Sequence, residues 1–263
     1  MNAVATTLRQ SWVITLRDLK HWQREPWTPI FGIAFSVMLV LMFGFLMGGA
    51  IGLPGGGDYL PYLLPGIFAL SMMFGIEATM SAVANDSKKG VTDRFRSLPI
   101  SSAAVPLGRA GADLMNSAAE LAVLMVGGFL IGWRATGSLG ATVLAVVLLL
   151  WLRFAMLVLG VFLGLAFRGE GGVTAVQVLV WPVGFLSNVL VAPESMPAWL
   201  GAVAQWNPIS ATAAACRELF GNPTGITGGV LADHALLLAV LWPAALVLVF
   251  VPLTAHAYRR LSR

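Results

Sequence analysis

The chain has 263 residues, of which 58% are hydrophobic and 11% are charged. A typical soluble domain is about 25% charged, so this composition excludes an ordinary soluble protein and indicates a multi-span membrane protein. The net charge of +4 does not indicate nucleic-acid binding, because the basic residues lie beside long apolar stretches, where membrane topology explains them.

The first 27 residues predict an amphipathic helix. Their apolar residues recur every three or four positions and therefore share one helix face: Leu8, Trp12, Leu16 and Leu19. We expect this helix, over residues 3–25, to lie on the cytoplasmic membrane surface; packing on a partner protein is the alternative. The apolar stretch that follows is too long and starts too late for a cleaved signal peptide.

Six apolar stretches have the length of membrane-spanning helices. The predicted spans are residues 28–50, 62–84, 114–133, 141–167, 173–191 and 234–257. Residues 195–216 are also uncharged, but Pro197, Asn207 and Pro208 disfavour a continuous helix, so they predict a helical hairpin instead. Three small-residue motifs are typical of close helix contacts: Gly44-x-x-x-Gly48, Gly128-x-x-x-Gly132 and Gly160-x-x-x-Gly164.

The basic residues predict the orientation of these spans. With six spans, thirteen of the sixteen lysines and arginines fall on one side, and only Arg134 and Arg217 fall on the other. Because basic residues concentrate in cytoplasmic loops, we expect both termini to be cytoplasmic. A seventh span would place the three C-terminal arginines outside. The excess of arginine over lysine is typical of a high-GC bacterium, which predicts a multi-pass protein of a bacterial cytoplasmic membrane.

Three charged residues interrupt the predicted spans: Glu77, Glu120 and Arg153. A charge at the centre of a bilayer costs about 2.5–3.5 kcal/mol or more, so each side chain should face protein or water. Two hypotheses remain open. Either Glu77 or Glu120 faces a transport path and attracts a cationic substrate, or their role is structural, in an ion pair with Arg153 or at a position near the membrane interface.

The largest cytoplasmic loop between spans, residues 85–113, contains a compact charged segment. Residues 90–96 predict a short helix that Thr92 caps, with Asp93 in its first turn, and Leu98-Pro99 ends it. The helix would present Arg94, Phe95 and Arg96 to a soluble partner or, alternatively, to lipid headgroups.

Catalytic and nucleotide-binding motifs are absent from the sequence. There is no HExxH, no GxSxG and no GxxxxGK[ST] phosphate loop, and the single cysteine excludes a CxxC metal site. We therefore expect no enzyme activity, no bound metal and no cofactor in this chain.

Two segments resemble a known family. "DRFRSLPISSAAVPLGRAGADL", starting at Asp93, is similar to the characteristic loop of type-two ATP-binding-cassette export permeases, especially the daunorubicin-resistance-like drug exporters. "VAPESMPAWLGAVAQWNPIS", residues 191–210, resembles the segment that follows the fifth span in that family. With the six-span layout, the resemblance covers nearly the whole chain.

The resemblance implies an all-α permease that works as a homodimer on a separate ATPase, which binds ATP and Mg²⁺. The loop helix would be the coupling helix, seated on the ATPase through Thr92, Asp93, Arg94, Phe95, Arg96, Leu98 and Pro99. A small amphipathic drug or antibiotic would pass near the first, second and fifth spans, with Phe35, Met38, Met42, Met72, Glu77 and Glu120 as pathway candidates. The hairpin would form part of an outer gate that includes Pro193, Met196, Pro197, Trp199, Asn207 and Pro208.

Three alternatives remain at this point. The family also includes exporters of lipids and polysaccharides. An ion-gradient-driven transporter would need no ATPase, although no series of acids or histidines suggests a proton relay. A non-transporting membrane scaffold or sensor is the third.

Overall fold

The computed structural model describes residues 3–24, 27–46, 48, 58–88, 104–167, 170–226 and 228–260. Within these ranges the protein is all-α. The helices are α1 (Ala3–Arg24), α2 (Trp27–Leu39, continued by a π-helix, Val40–Leu46), α3 (Tyr59–Lys88), α4 (Ala104–Leu130), α5 (Leu139–Ala166), α6 (Glu170–Phe185), α7 (Ala198–Trp206), α8 (Pro208–Phe220) and α9 (Val230–Arg260).

Four of the described helices are long and apolar enough to cross a membrane: Tyr59–Asp86, Leu107–Leu130, Leu139–Ala166 and Val230–Ala257. Two shorter apolar segments, Ile30–Leu46 and Gly171–Phe185, coincide with the first and fifth predicted spans. The candidate span Leu107–Leu130 begins before residue 114, where the third span was predicted to start, so Asp113 lies inside this helix and not in the preceding loop.

Helix α3 is the centre of the bundle. Every residue from 62 to 73 is buried, and the helix packs mainly against α5 and also against α8 and α6. This stretch is apolar on nearly all sides and needs such surroundings, because it has no polar face to present to water. We call the end of the bundle with Asp86 and Arg109 the loop end, and the end with α7 and α8 the hairpin end.

Helix α1 is confirmed, and it packs along the start of α4. Its buried face contains Ser11, Ile14 and Thr15, whereas Trp12 and Leu16 are 52% and 40% exposed. Trp12 and Leu16, two residues of the apolar stripe predicted from the sequence, therefore face away from α4, where lipid or a partner can cover them.

One of the three small-residue motifs joins α5 to α3. A β-carbon at Gly160 would lie 3.0 Å from the Ile76 carbonyl oxygen, and one at Gly164 would lie 2.7 Å from the Met80 carbonyl oxygen. Backbone atoms cannot move aside as a flexible side chain does, so these two glycines set the distance between the two central helices.

We expect Gly164→Ala to lower the thermal stability of the detergent-solubilised protein, because the added methyl group forces α5 away from α3. Overpacking of this kind typically costs about 1–3 kcal/mol. Gly127→Ala is the matched control, since nothing lies within 4 Å of a β-carbon at that position. The measurement is the midpoint of thermal aggregation; equal midpoints for the two variants would contradict the tight crossing.

Candidate functional site

A polar cluster joins α3, α4 and α5 inside the bundle, with Arg153 at its centre. The Arg153 side chain is buried, and its Nη2 donates to Asp113 Oδ1 at 2.6 Å and to Thr79 Oγ1 at 3.1 Å. Its Nε donates to Ser117 Oγ at 2.9 Å. The guanidinium is therefore held by one side chain of α3 and two of α4.

The positions of these residues along their helices explain the cluster. Asp113, Ser117 and Glu120 are four and then three residues apart, so they share one face of α4. On α3, Gly75 lies one turn before Thr79, and a β-carbon there would overlap the Arg153 guanidinium. The glycine thus provides the space that the buried cation occupies.

The sequence-based hypothesis paired Arg153 with Glu77 or Glu120, and it missed Asp113. The structure makes Asp113 the ion-pair partner of Arg153. Glu120 remains within electrostatic range of both members of that pair. The identity of the partner could not be read from periodicity, because it depends on where α4 begins.

A second feature is an aromatic junction where α2, α3 and α6 meet. The Phe35 ring lies edge-on to Phe74 and to Trp181, with centroids 5.7 Å and 5.0 Å apart, and Phe74 and Trp181 are 4.8 Å apart. Phe185 stacks on Trp181 at 6.0 Å. These rings are only partly covered by the rest of the chain, so they form an apolar surface of fixed shape.

Glu77 lies on the face of α3 that forms this junction. It follows Phe74 by three residues and precedes Ser81 by four, and Ser81 Oγ accepts from Gln177 Nε2 at 3.5 Å. Glu77 is therefore placed between the aromatic contact with Trp181 and the polar contact with Gln177. Among the described residues, its buried Oε1 has no hydrogen-bond partner.

Asn207 fastens the hairpin to the end of α6. Its Oδ1 accepts from the Ile209 backbone N–H at 2.9 Å, which caps α8, and Pro208 occupies the first helical position. Its Nδ2 donates to the carbonyls of Val183 and Leu186 at 2.8 and 2.9 Å. One side chain thus fixes the corner between α7 and α8 and holds it against α6.

Arg217 of α8 closes the hairpin end against α3. It is fully buried, its Nε donates to the Tyr62 carbonyl at 2.8 Å, and its Nη2 donates to the carbonyls of Asn188 and Val189 at 3.0 and 3.1 Å. The guanidinium lies 3.6 Å from the Tyr62 ring centre, in cation–π geometry. Burial lowers the pKa of Arg217, and the nearby Tyr62 opposes that shift.

Space for this second arginine also comes from a glycine of α3. A β-carbon at Gly66 would lie 2.8 Å from Arg217 Nη2 and 2.9 Å from the Val189 carbonyl oxygen. The sequence predicted only that Arg217 lies on the outer side, and it did not predict that its side chain is buried. The one available sign was an arginine that directly follows a run of small residues in "PISATAAACRELF".

Comparison with known proteins identifies the family. The family model described as ABC-2 type transporter matches residues 9–220, which is most of the chain. The chain belongs to the ABC-2 type transporter family. This permease is also 33% identical, over 98% of its own length and 87% of the relative's, to the daunorubicin resistance ABC transporter permease protein DrrB1 of Streptomyces coeruleorubidus. Family membership implies a multi-pass membrane subunit that pairs with a separate ABC ATPase subunit.

The structure brings only some of the pathway candidates of the permease together. Phe35 and Glu77 belong to the aromatic junction, whereas Glu120 faces α2, with its Oε1 3.8 Å from a β-carbon placed at Gly32. Met38 and Met42 are exposed on the side of the bundle, and Met72 is fully buried in the core.

The outer-gate candidates lie at the hairpin end of the permease. Pro193 and Asn207 are buried in the hairpin, Met196 and Pro208 are half-buried, and Pro197 and Trp199 are exposed. The predicted coupling segment, residues 90–101, lies outside the described residues.

We expect Arg153→Met to destabilise the permease by roughly 3–5 kcal/mol, because it leaves Asp113 buried without its cation. The double variant Arg153→Met/Asp113→Leu should recover much of that loss, since it removes both charges. Thermal aggregation midpoints in detergent measure the effect, and Arg9→Met, at an exposed position of α1, is the control. A double variant less stable than Arg153→Met would contradict the ion-pair assignment.

Proposed function

We propose that this permease is the membrane subunit of an ATP-driven exporter of a small amphipathic drug or antibiotic, and that it works as a homodimer. The observation that carries the proposal is the similarity, over nearly the full chain, to a permease named for daunorubicin resistance. ATP and Mg²⁺ bind to the partner ATPase, because this chain has no phosphate loop.

The aromatic junction supports an amphipathic cargo with a cationic group. Flat ring faces of Phe35 and Trp181 suit an apolar or aromatic molecule, and the Glu77 carboxylate attracts a positive charge. Met38 and Met42, exposed on the adjoining helix, add an adaptable apolar surface. Such an apolar surface suits a polysaccharide less well than an amphipathic molecule, so it favours a drug as the cargo.

The proposed orientation puts the loop end in the cytoplasm and the hairpin end outside, in a bacterial cytoplasmic membrane. The ATPase then docks on the loop around residues 90–101, and closure of the ATPase moves that loop. At the opposite end, Asn207 and its hairpin form the outer gate, which is fastened to the end of α6. Cargo crosses between two copies of the permease.

Loss of the ATPase contact tests this assignment. We expect Arg94→Glu/Arg96→Glu to abolish co-purification with the ABC ATPase, because charge reversal repels the docking surface. Arg134→Glu, an exposed position at the hairpin end, should leave the complex intact. A double variant that still binds the ATPase and stimulates its turnover normally would show that the coupling assignment is wrong.

Energy dependence separates the exporter from an ion-gradient-driven transporter. In vesicles that contain the complex, exhaustion of ATP should stop export of daunorubicin even when an ion gradient is maintained. Export that persists under those conditions would overturn the proposal.

Removal of one negative charge tests the cargo class. We expect Glu77→Gln to weaken transport of a cationic dye by about tenfold, equivalent to ~1.4 kcal/mol, and to spare a neutral dye of similar size. Glu120→Gln is the matched comparison on the neighbouring helix. Unchanged export of the cationic dye by both variants, at normal protein levels, would exclude both carboxylates from the pathway.

A further inference from the structure

The two ends of the proposed coupling loop are tied together by an ion pair. Asp86 lies in the last turn of α3 and Arg109 lies in the second turn of α4, and Arg109 Nη2 contacts Asp86 Oδ2. The pair encloses residues 87–108. We call the place where these two helices are joined the neck of the loop.

Helix α1 is fixed to the same neck. Thr15 Oγ1 donates to the Gly108 carbonyl at 2.8 Å, one residue before Arg109. A β-carbon at Gly108 would lie 2.7 Å from Ile14 Cβ and 2.7 Å from the Ser11 carbonyl oxygen, so no side chain fits there. Helices α1 and α3 therefore contact α4 at two consecutive residues, Gly108 and Arg109.

The neck has a mechanical consequence for whatever moves the loop. A loop with independent ends can bend without displacing either helix, whereas a loop with joined ends displaces both together. Because α1 contacts the same point, it is displaced with them. Helix α3 then extends through the centre of the bundle to Arg217 and the hairpin.

We propose that the Asp86–Arg109 ion pair and the α1–α4 contact at Gly108 form the junction that transmits loop motion to the membrane helices. This inference rests on the proposed function, since it requires an ATPase on the loop. Asp86 and Arg109 are positioning residues. Their side chains are 24% and 31% exposed, so a reversed pair can be accommodated at the same place.

The experiment uses the whole permease–ATPase complex in liposomes, with daunorubicin export and ATP hydrolysis measured in the same vesicles. The variants are Asp86→Asn, Arg109→Gln and the reversed pair Asp86→Arg/Arg109→Asp. We expect each single variant to keep the complex and its ATP hydrolysis but to lower export per ATP by about fivefold or more, as for other coupled sites. The reversed pair should restore most of that ratio.

Two matched controls accompany these variants. Asp58→Asn makes the same substitution beside the opposite end of α3, at an exposed residue, and should leave the ratio unchanged. Gly108→Ala should lower the ratio because it separates α1 from α4, whereas Gly127→Ala on the same helix meets nothing within 4 Å and should not. A general loss of folding would reduce export and hydrolysis together and would leave their ratio intact.

The possible failures are distinguishable. If the wild-type complex exports normally, and neck variants with normal ATP hydrolysis keep its ratio of export to hydrolysis, the junction is wrong and the proposed function stands. If the single variants lower export per ATP but the reversed pair does not restore it, transmission through the ion pair is wrong. Loss of ATPase binding by the single variants would also overturn it. If wild-type export continues without ATP, the proposed function itself fails.

Discussion

The arrangement of the helices depends on how two guanidinium groups are accommodated inside an apolar bundle. Arg153 and Arg217 are both buried, and each must find acceptors for its donors where water is excluded. Arg153 finds a carboxylate and two hydroxyls, whereas Arg217 finds three backbone carbonyls and an aromatic face. Both solutions need a glycine of α3, Gly75 or Gly66, because a methyl group would collide with the guanidinium.

These requirements make α3 the common partner of almost every other element. It is joined to α4 by Asp86 at the loop end, to α5 by Thr79 in the middle, and to α8 by Tyr62 at the hairpin end. An element held at three levels by polar contacts is less free to slide against its neighbours than one held by apolar packing alone.

The face of α3 that the arginines leave free is the one that forms the aromatic junction with α2 and α6. There the described contacts are ring against ring, and Glu77 lies on the same face of α3. Edge-on ring contacts contain no charge, whereas a buried ion pair that is separated leaves an uncompensated charge inside the bundle. The same helix thus has ionic contacts on one side and aromatic contacts on another.

The sequence by itself determined the class of protein, the approximate positions of the apolar helices, the helical hairpin that follows α6 and the family, because composition, periodicity and two linear motifs are local properties. It also indicated that Arg153 needed a partner. Only the tertiary structure decided that this partner is Asp113, that Arg217 is buried against Tyr62, and that Met72 lies in the core while Phe35 and Glu77 share a junction. Periodicity defines the face on which a side chain lies, whereas its partner depends on the rotation and starting point of a second helix.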